Sequence, residues 1–198
     1  MKFDLTSHDV NFKAPHDQPY DPLTAYANGR DIFNELRTWE LRVVKGKITL
    51  NNEVGATYDL GEATKRIVRC SLAFLKFTQP YIVFEYEDGE SRFYHYDLVN
   101  KELTFKLTLK GYKYMSLFYS RASFKDKLLL TALQPVKGVK IGEEDRNEVM
   151  VGEMDMENGT LRLDVVQSYP ATNDLQIHRF GLTTTDQVKI EIVSVSES

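Results

Sequence analysis

The sequence predicts an all-β, mainly antiparallel fold, and three observations carry the prediction. Short apolar runs of strand length succeed one another from residue 42 onward, Gly, Asn and Asp punctuate them, and one stretch of the pattern recurs. Aromatic residues suit such a fold, because they pack well on pleated surfaces, and the 198-residue chain holds 11 Tyr and 11 Phe. The expected architecture is two four-stranded meander repeats forming a sandwich, a barrel or a small propeller-like domain, preceded by an N-terminal arm and one short helix.

Residues 1–41 read as that arm and helix, ahead of a β-domain spanning 42–198. "SHDVNFKAPHDQPYDP" holds three of the six prolines and little periodicity, which suits an arm or loop. "DIFNELRTWEL" then places Ile32, Phe33, Leu36 and Trp39 at helical spacing, with Asp31 at the end where a helix dipole favours a carboxylate. A helix over Arg30 to Leu41 follows.

Beyond it, "LRVVKGKITL" reads as two strands about Lys45-Gly46, and "ATYDL" as the tail of a further unit. "IVRCSLAFLKF", "YIVFEY", "SRFYHYDL" and "ELTFKLTL" make one meander, residues 66–109. "YMSLFYS", "KLLLTAL", "NEVMVGEMDM" and "TLRLDVV" make a second, residues 112–168, with "PVKGVKIGEEDR" as an inserted loop. Aligning the two sets Asp97 on Asp155, Asn100 on Asn158 and Leu103 on Leu161. "DLQIHRF" and "QVKIEIVSV" close the chain as strands.

Turn chemistry suggests register. A two-residue loop at Asp88-Gly89 pairs Phe84 with Phe93 and Ile82 with His95. Closure at Asn100-Lys101 then sets His95 opposite Lys106. One face collects Tyr81, Val83, Tyr94 and Tyr96, and the other Phe84, Phe93 and His95 beside Lys106. That second face could take a small anion or an acidic partner, although filling a core is the more ordinary task of strand aromatics. Asn158-Gly159 pairs Met154 with Leu163 and opposes Glu153 to Asp164.

Composition excludes several functions. The net charge is −4 and the 25 basic residues are scattered, so nucleic-acid binding by charge alone is not expected. No run approaches a membrane span, and "MKFDLTSHDVNF" lacks the apolar core of a signal peptide, so a cytoplasmic setting is expected. The lone cysteine, Cys70, permits no internal disulfide and no thiolate metal cluster, and its apolar neighbours suggest an inert thiol. Nucleotide-binding and hydrolase signatures are absent.

The remaining candidates are few. Glu153, Asp155 and Asp164 could hold a divalent cation, although "DMENG" does not follow the EF-hand pattern and a solvated face is the simpler reading. His8-Asp9 and His16-Asp17 have no element fixing them relative to each other. An interaction surface would draw on Trp39, Phe33 and Tyr26 from the arm and helix, on Phe84, Phe93 and His95 from the sheet, and on Glu143 and Glu144 from the inserted loop. The favoured expectation is a non-enzymatic protein-interaction or assembly module that uses no cofactor and binds a protein partner or itself. The alternative is a small-ligand or divalent-cation-dependent enzyme or binder built on the acidic face around Asp155.

Overall fold

A computed structural model describes residues 2–8, 21–120, 126–155, 158, 160–171, 175–182 and 187–194. The described residues form strands and turns, with no helix among them. Three four-stranded antiparallel sheets follow in chain order. The first is β2 (Thr24–Arg30), β3 (Leu36–Val44), β4 (Lys47–Asn52) and β5 (Thr57–Glu62). The second is β6 (Ile67–Leu75), β7 (Gln79–Tyr86), β8 (Glu90–Asp97) and β9 (Glu102–Lys110). The third is β10 (Lys113–Ser120), β11 (Lys127–Val136), β12 (Arg146–Asp155) and β13 (Thr160–Pro170). A three-stranded sheet joins β1 (Lys2–His8), β15 (Gln187–Ser194) and β14 (Leu175–Leu182), with β1 parallel to β15.

The expected helix over Arg30 to Leu41 is not formed. Residues 31–35 make a tight turn, and β3 carries the chain from Leu36. The local reason is Asp31, whose Oδ1 accepts the N–H groups of Phe33 at 2.9 Å and Glu35 at 3.0 Å. A carboxylate that takes its own downstream amides offers the backbone an alternative to a helix. Beyond the turn, Trp39, Leu41 and Val43 alternate inward with period two. A division after residue 41 would therefore cut strand β3. Most of the arm, residues 9–20, including Asp9, His16 and Asp17, lies outside the described residues, and His8 ends β1.

The second sheet is covered on both faces. Leu72, Phe74, Ile82, Phe84 and Tyr96 pack with Trp39, Leu41, Leu50 and Tyr58 of the first sheet. From the opposite face, Ala73, Tyr81, Val83 and Phe93 pack with Met115, Leu117, Leu130 and Met154 of the third. This is why β6 and β7 read as nearly unbroken apolar runs rather than alternating ones.

The first strands of the three sheets run side by side in one direction. Cys70 N–H donates to Pro22 O at 2.9 Å and Arg30 N–H to Phe77 O at 2.6 Å. Ser71 Oγ accepts the Leu117 N–H at 2.9 Å. At the closest approach, Gly29 of β2 lies against the Phe74 ring with no room for a Cβ. Trp39 Nε1–H donates to the Gly29 carbonyl at 3.0 Å, completing that corner of the core.

Candidate functional site

The turns gather at two ends. Turns 31–35, 53–56, 76–78 and 98–101 lie at one, and turns 45–46, 63–66, 87–89 and 111–112 at the other. At the first end the turns are held from within. Asp31 also pairs with Arg37 at 3.1 Å. Asp97 accepts the N–H groups of Val99 at 2.9 Å and Asn100 at 3.0 Å, and the Asn100 Nδ2 at 2.9 Å, which hold its carboxyl below the usual range. Turns fixed in this way hold Ile32, Phe33 and Val99 out in solvent, with Phe33 78% and Val99 76% exposed.

Ile32, Leu98 and Val99 form the shared wall of two grooves. One, of about 500 Å³, runs past Ala56, Tyr58 and Lys101. The other, of about 390 Å³, runs past Arg30, Gln79, Tyr81, His95 and Lys106. A β-bulge shapes the second groove. Tyr94 pairs with Phe105 and Phe93 with Leu107, so Lys106 opposes no residue of β8. Bulges re-aim side chains, and this one leaves Lys106 lining the groove beside His95. His95 lies against Tyr81, with ring centroids 4.9 Å apart. Burial, and then the nearby Lys106, hold its imidazole below the ordinary value, while Asp97 pulls the other way.

At the opposite end a cleft of about 570 Å³ opens between the second and third sheets, walled by Tyr86, Tyr112 and Tyr114. Arg69 and Glu85 are register partners on β6 and β7, and their side chains pair there at 3.1 Å, both largely buried. β10 is irregular between Lys113 and Ser116, which turns the Met115 backbone toward this pair. Met115 N–H donates to Glu85 Oε2 at 3.1 Å, and Arg69 Nε donates to Met115 O at 3.4 Å. Burial pushes the Glu85 carboxyl up to about 7, against the pull of Arg69 and the Met115 and Tyr114 amides. Desolvation outweighs those contacts because a carboxylate loses more on leaving water here than the cation and the two amides return. Through their hydrogen bonds with Met115, the Arg69 and Glu85 side chains link the second sheet to the backbone of the third.

The expected surface residues separate sharply. Phe33 and Tyr26 are exposed, the latter at 57%. Trp39, Phe84 and Phe93 are buried in the core and offer nothing to a partner. The expected faces of the second sheet are corrected too: Tyr81 pairs with His95, Ile82 with Tyr94 and Val83 with Phe93. The turn there has three residues rather than two, with Gly89 at φ +86, and one residue of slip exchanges the faces. His95 faces Thr104 instead of Lys106 across the ladder, yet the bulge still places the two in one groove.

The acidic candidates are held apart. Glu153 faces Arg162 in the register and pairs with Lys127 at 2.9 Å. Asp164 lies opposite Val151 and pairs with Arg162 at 3.1 Å. Asp155 accepts the Asn158 Nδ2 at 2.8 Å, as Asp97 does from Asn100. The sequence echo of Asp97 and Asp155 is thus the echo of one turn-closing device. Among the described residues no group of three His, Cys, Asp or Glu gathers as a metal ion would require. On the inserted loop, Glu143 braces its own backbone through the Val139 and Lys140 N–H groups and pairs with Arg146 at 3.2 Å, whereas Glu144 is exposed.

Sequence reading missed the Arg69–Glu85 pair and the Ile32–Val99 wall. The available signal for the pair was two charges set within otherwise apolar strands, "VRCSL" and "VFEY". No protein-family model matches the chain, and no curated protein matches it significantly.

Proposed function

We propose that the protein is a non-enzymatic interaction or assembly module that docks a protein partner, or a second copy of itself, at the end carrying the 31–35 and 98–101 turns. The observation that carries this reading is the apolar wall of Ile32 and Val99, held in solvent by turns closed from within and flanked by two grooves. Apolar side chains grouped on rigid turns are what a partner can cover at low entropic cost. Phe33 and Leu36, both exposed, extend the same surface.

Within this proposal the sheets are successive blades of a small propeller-like arrangement. Support comes from their first strands running side by side and from the middle sheet being covered on both faces. Such a scaffold presents turns at its ends while its core stays fixed. A cytoplasmic setting belongs to the proposal and rests on the lone buried Cys70. No helix among the described residues is long and apolar enough to cross a membrane.

The test compares the full-length protein with its Ile32→Ser/Val99→Ser variant, both immobilised against extract and both run by sedimentation velocity. A partner or self-association retained by the parent and lost by the variant is expected. Equal retention by both sinks the reading.

A further inference from the structure

The 390 Å³ groove carries a charge pattern that an apolar docking surface does not need. Three of its side chains, Arg30, His95 and Lys106, are basic or can become so, and two, Asp31 and Asp97, are acidic. The acids are already engaged: Asp31 with Arg37 and two backbone amides, Asp97 with the N–H groups of its own turn. Lys106 differs. It is partly buried, the bulge sets it beside His95, and no carboxylate pairs with it among the described residues. With no carboxylate to engage it, the Lys106 ammonium keeps its three donors for an anion that enters the groove.

We propose that Lys106 and His95 form an oxyanion-binding subsite, which takes a carboxylate or phosphate group against the Tyr81 ring. Lys106 supplies a fixed positive charge and three donors, and His95 supplies a further N–H and, once protonated, a second charge. Gln79, at the start of β7, is exposed at the mouth and can donate to the same group. The charged and titratable groups facing His95 are Lys106 from β9, Asp97 from β8 itself and Tyr81 from β7. Of these only Lys106 disfavours the imidazolium through its charge, so a bound anion beside both cations reverses the balance. Anion binding therefore strengthens as pH falls through the histidine range.

That the anion belongs to a docked partner rests on the docking reading above; the subsite does not. The full-length protein is titrated with inorganic phosphate and, in parallel, with acetate at constant ionic strength, following the His95 imidazole resonances by NMR, assigned with His95→Gln. Without anion, Lys106→Met should raise the His95 pKa, which tests the placement of the two side chains independently of any ligand. In the parent, a saturable anion response should raise the His95 pKa by about 1 unit, and Lys106→Met should abolish that response. A response to phosphate alone assigns a phosphoryl group, and a response to acetate as well assigns a carboxylate. No saturable response to either anion overturns the proposal, as does the same response in Lys106→Met. Because no partner is present, failure here leaves the docking reading standing, and failure of the docking test leaves the subsite standing.

Discussion

Gly29→Ala tests how tightly the first two sheets are fitted together. The added Cβ would fall within 3.0 Å of three atoms of the Phe74 ring. That ring is 2% exposed and packs on Trp39 at a centroid distance of 5.6 Å, so it has little freedom to withdraw. Overpacking of a filled core costs about 1–3 kcal/mol. The backbone at Gly29 has no positive φ, so alanine also restricts the unfolded chain and returns about 0.4–1 kcal/mol. The net loss is about 1–2 kcal/mol, or roughly 2–8 °C in Tm for a chain of this size. Urea unfolding of the parent, Gly29→Ala, Phe74→Ala and the double variant measures it. Phe74→Ala removes the Cγ, Cδ1 and Cε1 atoms that the added Cβ would meet, so Gly29→Ala should become neutral or stabilising in that background. Equal cost in both backgrounds, or no cost in the parent, would refute the close packing of β2 on β6.

Other expectations follow from the same contacts. Because burial raises the Glu85 carboxyl to about 7, above its ordinary value of 4.5, its contribution to stability is fully present below pH 4.5 and is lost as pH rises through 7. The loss is about 3 kcal/mol across that window. Denaturant titrations of the Glu85→Gln/Arg69→Met variant should lack this slope, and an unchanged slope would assign it elsewhere. Trp39→Phe leaves the Gly29 carbonyl without its donor and opens space in the core, for about 2–4 kcal/mol by urea midpoint; a neutral result would mean the site collapses freely. Cys70, whose thiol burial pushes up to about 12, should resist a thiol reagent at pH 8 in the native state and react on unfolding. Rapid native labelling would show that β6 opens readily.

Much of the fold was legible because turn chemistry is local. Lys45-Gly46 forms a two-residue turn with φ of +50 and +80, as its sequence suggests. The echo of Asp97–Asn100 in Asp155–Asn158 reported a shared turn before any sheet was known. Register was less legible. Asp88-Gly89 fits a two-residue loop in sequence, but Tyr86 O accepting the Gly89 N–H makes the loop one residue longer. The false helix arose because Ile32, Phe33, Leu36 and Trp39 match a helical spacing by coincidence of two structures, a turn and a strand. The alternation of Trp39, Leu41 and Val43 held the better signal. Arg69 and Glu85 stand out in the sequence as charges within apolar strands, but their pairing was not legible there, since it exists only through the pairing of β6 with β7 and the approach of Met115 from another sheet.

The most direct measurement of the docking claim is site-specific photocrosslinking. A photoreactive residue is placed at Val99 on the proposed face, and in a second protein at Ile141, which is equally apolar and fully exposed on the loop of residues 137–145. Crosslinking to another polypeptide chain from Val99, abolished by Ile32→Ser, and none from Ile141 is the expected result. Crosslinking from Ile141 with none from Val99 would contradict the claim and move the contact surface to the opposite end.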